Sequence, residues 1–361
     1  MVLHLTSMKK VALIILTYNG KKYLPSLLGS IFDFSEKSVS TEIMIVDNNS
    51  SDGTVEYVRQ NFPEATVFAQ DKNLGFAAGN NIGIKYAMDT GTDFIMLLNQ
   101  DTIVTENFLK PLIEQLESDE KIAAVQPKLM LYPLTELVNS LGNVIHYLGF
   151  GYTYGHKTKI KELWPMIRDT KFRIHEINYC SGAACLIKTE ALKNVGLLDE
   201  DLFMYHEDLD LGWRFKLKGY KNIACLDSVV YHQYEFSRSI QKYYFMERNR
   251  FIVMFKNYRW LTILLIFPAL IFMEIGLFIF SFKNGWWRQK LLVYAYFLNP
   301  LNWIKIFNKR QVVQHSRVIS DREIVRYFSG RIEHQEINNP VLRIVNPFFY
   351  IYWQIVKKLI L

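Results

Sequence analysis

Five apolar residues, Phe94 to Leu98, run without a break into Asn99, Gln100 and Asp101. The run is too short for a helix and lacks polar alternation, so it predicts a strand buried on both faces, as in a parallel sheet. Three polar residues then stop it where such a sheet would end. The pattern recurs upstream. Residues 11–17 form a second apolar run, closed by the turn Tyr18-Asn19-Gly20. Residues 42–46 end on Asp47, and residues 66–69 precede Asp71-Lys72-Asn73. Helical segments separate these runs. Residues 21–34 place Leu24, Leu27, Leu28 and Ile31 on one face. Ser51 or Asp52 caps a helix carrying Val55, Val58 and Phe62, and residues 76–88 use Gly79 and Gly83 for close packing. Strand and helix alternating at this spacing imply βαβ units, hence an α/β chain with a doubly wound, mostly parallel sheet flanked by helices.

Ligands bind such sheets at the carboxyl ends of the strands. That rule collects Thr17, Tyr18, Asn19, Asp47, Asp71, Lys72, Asn73 and Asp101 on one rim. Beyond it, residues 105–116 predict a helix with Pro111 near its start, and residues 122–131 a strand. Periodicity fades over 132–178, a loop-rich insertion of the kind that forms a lid or binds an acceptor. A strand at 183–188, a short helix at 189–195, and a helix from Glu207 to Gly219 follow. The last has an acidic first turn and a basic last turn, matching its dipole. Three of the four residues from Glu207 to Asp210 are acidic, however. Crowded carboxylates raise one another's pKa, a cost more often found at sites than on scaffolds. Two strand pieces, 221–226 and 229–231, lead to His232.

Apolar residues concentrate after Arg259. Residues 260–282 contain one charge, Glu274, and are long enough to cross a bilayer. A second run, 291–306, is interrupted at Asn299-Pro300, and 345–361 is an aromatic-rich stretch suited to a membrane interface. Basic residues flank both runs, so a two-pass hairpin and a monotopic pair both fit. The net charge of +7 accompanies these segments, and no nucleic-acid module is present. The expected partner is therefore a membrane surface. Cys180, Cys185 and Cys225 are odd in number and lack metal-type spacing, which predicts free thiols in a reducing compartment. Residues 1–10 have no apolar core, so no leader is expected. The expected organisation is an α/β domain over 1–250, carrying the 132–178 insertion, and a helical membrane-associated region over 251–361.

A rim with several carboxylates and a lysine suits a nucleoside diphosphate with a divalent metal. No Gly-x-Gly-x-x-Gly or P-loop pattern follows the first strand, against a dinucleotide-dependent dehydrogenase or a P-loop enzyme. Ile14-Ile15-Leu16-Thr17-Tyr18-Asn19, the stretch from Val46 to Thr54, the stretch from Asn73 to Asn80, and Leu97-Leu98-Asn99-Gln100-Asp101-Thr102 resemble inverting glycosyltransferases of family 2, with a GT-A fold. Ser181-Gly182-Ala183-Ala184, the group from Glu207 to Asp210, Arg214 and His232 extend the likeness towards the rhamnosyltransferase and galactofuranosyltransferase branch.

The resemblance implies roles. Asp47 accepts the base N–H of a uracil- or thymine-type nucleotide in a pocket lined by Thr17, Tyr18 and Asn19. Asn73 and Gly75 lie near the ribose and diphosphate. Asn99, Gln100 and Asp101 stand where the family has its Asp-x-Asp metal motif; the first aspartate is missing, so the metal rests on Asp101 with His232. Asp208 is the catalytic base. Ser181, Gly182, Ala183, Glu207 and Arg248 belong to a loop set serving acceptor and donor. The cofactor implied is Mn2+ or Mg2+, with histidine favouring manganese. The donor implied is a nucleoside-diphosphate sugar, dTDP-rhamnose or a UDP-sugar. The acceptor is a lipid-linked or growing glycan, met at the inner (cytoplasmic) membrane of the cell with the catalytic domain facing the cytoplasm. Gln241 is not followed by the Arg-Trp of processive synthases, which favours transfer of one or a few sugars. The alternatives are a sugar-phosphate nucleotidyltransferase and a non-catalytic sugar-nucleotide-binding membrane scaffold.

Overall fold

The computed structural model describes residues 8–34, 39–167, 173–234, 240–333 and 340–360. The strands are β1 (Lys9–Thr17), β2 (Val39–Asp47), β3 (Thr66–Ala69), β4 (Phe94–Asn99), β5 (Thr102–Val104) and β6 (Ile122–Leu131). They continue as β7 (Val138–Ser140), β8 (Asn143–Ile145), β9 (Gly151–Thr153), β10 (Ile174–Ile177), β11 (Ala184–Lys188) and β12 (Lys221–His232). Eight lie side by side in the order β10-β12-β6-β11-β4-β1-β2-β3. From β4 to β3 every pairing is parallel, and β12 is parallel to β6, whereas β11 runs antiparallel between β4 and β6. The α/β expectation holds.

Both faces of this sheet are covered, which explains the unbroken apolar runs. Along β1, Val11, Leu13 and Ile15 point to one side, where they meet α1 (Leu24–Asp33) and α4 (Leu109–Ser118). Ala12 and Ile14 point to the other, towards α3 (Gly75–Asp89) and α6 (Glu207–Leu217). A Cβ added at Gly79 would sit 2.4 Å from Leu16, so α3 lies close against β1. Helices α2 (Thr54–Asn61) and α5 (Thr189–Val195) complete this layer set.

A third core joins the rest of the chain to α6. Trp213 and Leu217 on the far side of that helix pack with Tyr147 and Leu148 of the insertion and with Tyr258, Ile266, Leu270 and Trp353. The last four come from α7 (Ile240–Asn257) and its end, α8 (Trp260–Lys283) and α11 (Pro340–Leu359). Helices α9 (Trp287–Leu298) and α10 (Pro300–Ser316) pack beside α7.

Two local expectations change, and the interruption at Asn299-Pro300 holds. The helix predicted from residue 105 starts at Leu109, so Pro111 falls within its first turn, where a missing N–H costs little. The two pieces after Lys221 are one strand, with a bulge between Cys225 and Val229. The apolar run 291–306 is two helices, because Asn299 caps α10 through Leu301 N (3.0 Å) and Pro300 opens it.

Candidate active site

The rim predicted at the strand ends forms by register. Thr17 pairs with Asp47 across β1 and β2, and Leu16 with Asn99 across β1 and β4. Gln100 then ties two strand ends together: its Oε1 accepts from Thr17 Oγ1 (2.7 Å) and Tyr18 N (2.9 Å), while its Nε2 donates to Tyr18 O (3.3 Å). This amide therefore braces the rim from within. Asp47 is 2% exposed and accepts from Ser50 N (2.9 Å) and the Ser50 hydroxyl. Asn19 is left-handed (φ 51°) and accepts from Ser51 N (2.9 Å), while the Tyr18 ring stands exposed above them.

Asn73 and Gly75 build the start of α3. Asn73 Oδ1 accepts from Gly75 N (2.8 Å), and Phe203 O accepts from Phe76 N (2.6 Å) and Ala77 N (3.2 Å). The first amides of α3 are thus paired within the protein. Gly75 is left-handed (φ 82°), and a Cβ there would lie 2.5 Å from the Phe203 ring, so only glycine fits.

Beside this rim opens a cleft of about 480 Å³ whose walls include Asn99, Ser181, Gly182, Ala183, Glu207, Asp208 and His232. The insertion contributes Asn139, Asn143, Tyr152, Thr153 and His156, so residues 139–156 form part of one wall. Asp101 and His232, far apart in sequence, meet because β5 pairs with the end of β12. His232 Nε2 stands 3.2 Å from Asp101 Oδ1, and Nδ1 stands 3.0 Å from Asn139 Oδ1. With Nδ1–H donating to Asn139, Nε2 presents a lone pair to a carboxylate oxygen. In that tautomer a nitrogen and an oxygen acceptor face each other, a pair that suits Mn2+ or Mg2+. Among the described residues no three His, Cys, Asp or Glu side chains converge as a metal cage.

The three acidic residues opening α6 have three different surroundings. Asp210 is fully buried; burial opposes its charge, but Lys256 (2.8 Å) and Arg214 (2.8 Å) hold its carboxyl below the usual range. Asp208 faces the cleft and accepts from Gly182 N (3.1 Å) and Leu209 N (2.7 Å). Burial raises its pKa, and the two N–H groups offset part of that rise. Glu207 is 6% exposed, and its Oε2 has no hydrogen-bond partner. Burial, then the charge of Asp208, pushes its carboxyl well above the ordinary value.

A raised native pKa contributes stability below the ordinary glutamate pKa, and that contribution is lost as pH rises through the raised value. Glu207→Gln removes the loss. Its unfolding midpoint relative to the native protein is therefore expected to climb between pH 5 and pH 8.5 in calorimetry; a gap independent of pH would contradict the burial of a chargeable Glu207.

The segment leading into α6 has no counterpart in the sequence reading. Phe203 (φ 62°), Tyr205 (φ 67°) and His206 (φ 68°) are all left-handed without glycine, each at a cost of about 1–3 kcal/mol. Helix α7 holds them there. Asn249 Nδ2 donates to the carbonyls of Leu202 (2.8 Å), Met204 (2.9 Å) and Tyr205 (2.7 Å), and Arg248 donates to those of Asp201 (2.8 Å) and Leu202 (3.1 Å). Arg248 therefore stands behind the loop that presents Asp208, and does not line the cleft. Sequence offered no signal for this clamp beyond the Arg248-Asn249 dipeptide itself.

The family model described as Glycosyl transferase family 2 matches residues 12–196, just over half of the chain. The Haloferax volcanii low-salt glycan biosynthesis hexosyltransferase Agl10 is 21% identical over 256 residues, 68% of this chain and 76% of that protein. The Mycobacterium tuberculosis N-acetylglucosaminyl-diphospho-decaprenol L-rhamnosyltransferase is 26% identical over 239 residues, 60% of this chain and 73% of its own. Among solved structures, GalNAc-T7 with UDP, GalNAc and Mn2+ superposes with a TM-score of 0.54 at 17% identity, over 69% of this chain and 48% of that one. S. aureus TarS 1-349 in complex with UDP gives 0.50 at 16% identity, over 97% and 90%. The structural likenesses carry the fold, which is of the GT-A type, and the family match carries the rest: the chain belongs to glycosyl transferase family 2.

Proposed function

We propose that this glycosyltransferase moves a sugar from a nucleoside-diphosphate sugar to a hydroxyl of a lipid-linked or growing glycan, non-processively and with inversion at the anomeric carbon. The observation that carries the reading is Asp208, a carboxylate of raised proton affinity held by two backbone N–H groups in a cleft that also contains Asn99 and His232. A sugar hydroxyl is a weak nucleophile, so a base must take its proton as it attacks. Asp208 accepts that proton while the acceptor oxygen bonds to the anomeric carbon and the bond to the diphosphate oxygen breaks. Attack opposite the leaving group inverts the centre.

Thr17, Tyr18, Asn19 and Asp47 would hold the base and ribose, the exposed Tyr18 ring offering a stacking surface. Ser181, Gly182, Ala183 and Glu207 would line the acceptor side. The decaprenol-linked acceptor of the mycobacterial relative supports a lipid-linked acceptor, and the UDP bound by TarS supports a UDP-sugar or the chemically similar dTDP-sugar as donor; we place the reaction at the cytoplasmic face of the cell membrane.

Asp101 and His232 are the residues that would hold a divalent cation. Bound there, it would offset the charge gathering on the departing diphosphate. EDTA is expected to stop transfer, and Mn2+ or Mg2+ to restore it. Asp101→Asn should weaken Mn2+ binding, read by electron paramagnetic resonance, by at least about tenfold. Transfer indifferent to EDTA, or unchanged Mn2+ binding by the variant, would remove the metal from this reading. The reaction class itself is tested by proton NMR of the product, which should show an anomeric configuration opposite to that of the donor; retention would overturn it.

A further inference from the structure

Among the described residues α8 is the one helix long and apolar enough to cross a bilayer. Its packing argues for a different arrangement. One face is buried from Thr262 through Ile266 and Leu270 to Met273, and again at Ser281. Near the middle, Glu274 enters a closed ion network with Arg250 of α7 and Lys290 of α9 (2.7 Å), both fully buried. At the start, Arg259 N (2.7 Å) and Thr262 (2.6 Å) donate to Asp321, and Tyr352 of α11 donates to Leu265 O (2.7 Å). A span crossing the bilayer would carry Arg250, Glu247 and the cleft-bearing loop beside them into hydrocarbon.

The opposite face is apolar and exposed from end to end: Leu264 is 68% exposed and Ile279 65%, with Ile271 and Ile275 between them. The spacing is that of one helical stripe. The same outward character continues on α11 through Ile351, Ile355 and Leu359, and the two helices touch through Phe272 and Phe349. Exposed cations sit at the ends of these helices, Lys283 on α8 and Lys358 on α11, with Lys305 within α10. An apolar surface of this extent, edged by lysines, matches one leaflet of an anionic bilayer.

We propose that α8 and α11 lie in the plane of the membrane as a platform in one leaflet, with α8 parallel to the surface and not across it. The proposal stands on these helices and does not depend on the donor or acceptor assigned above.

All three native cysteines are buried, so single cysteines placed at Leu264, Ile271 and Ile279 can carry an environment-sensitive fluorophore. The full chain is added to vesicles of phosphatidylcholine and phosphatidylglycerol containing nitroxide lipids of graded depth. The expected result is one shallow depth for all three positions. Ile271 deep with shallow ends would mean a span and overturn the proposal. In flotation, Leu264→Glu with Ile271→Glu and Ile275→Glu should weaken vesicle binding by more than about tenfold while leaving the unfolding midpoint unchanged. Unchanged binding, or a chain that ignores vesicles and instead forms a dimer dispersed by the three glutamates, would also overturn it.

Discussion

Asp208→Asn is expected to leave a folded protein that binds donor normally and transfers sugar at least about 10²–10⁴-fold more slowly, the range lost with a general base. The two backbone N–H groups that orient the side chain, from Gly182 and Leu209, belong to the main chain and survive the substitution. Asparagine keeps the shape and one acceptor but cannot take a proton. Because burial raises the pKa of Asp208, the native enzyme should also lose kcat/KM as pH falls through a value above the ordinary aspartate pKa of about 3.9. Only the deprotonated form can act as base, so the loss lies on the acid side. A kcat within tenfold of the native value would place the base elsewhere.

Arg250→Met is expected to be the most damaging change outside the cleft. Arg250 is fully buried, bonded to Glu247 (3.1 Å), to Glu274 and to the carbonyl of Leu148 (3.1 Å). Lys290 bonds the same two carboxylates, so two cations and two anions share one enclosed site. Removing one cation leaves an uncompensated buried charge, a loss of about 3–5 kcal/mol. The network links α7, α8 and α9, and α7 also clamps the left-handed loop before Asp208 through Arg248 and Asn249. Denaturant unfolding monitored by tryptophan fluorescence measures the loss; a change below about 0.5 kcal/mol would show that the charges are hydrated.

The sheet was legible because each central strand is buried on both faces, which leaves an unbroken apolar run such as Phe94 to Leu98 with a polar stop. The rim was legible for the same reason, since register places Thr17 beside Asp47 once the strands are parallel. The pairing of Asp101 with His232 followed from resemblance and not from periodicity: it depends on the three-residue β5, too short to leave a pattern. Gln100 looked like part of a metal motif, yet its amide bonds Thr17 and Tyr18, a long-range partnership that composition does not encode. The insertion looked structureless because its strands have three or four residues, below the length at which alternation can be read. The different environments of Glu207, Asp208 and Asp210 were out of reach as well. They depend on Lys256 and Arg214 reaching Asp210 and neither Glu207 nor Asp208.

The most direct measurement is acceptor-dependent release of nucleoside diphosphate from a panel of UDP- and dTDP-sugars with Mn2+, using lipid-linked acceptors of increasing glycan length. One donor is expected to be consumed with an equal amount of glycosylated product, and consumption should vanish in Asp208→Asn while that variant still binds the donor. A native protein that binds sugar nucleotides yet consumes none with any acceptor, or an Asp208→Asn variant that transfers as fast as the native enzyme, would contradict the account.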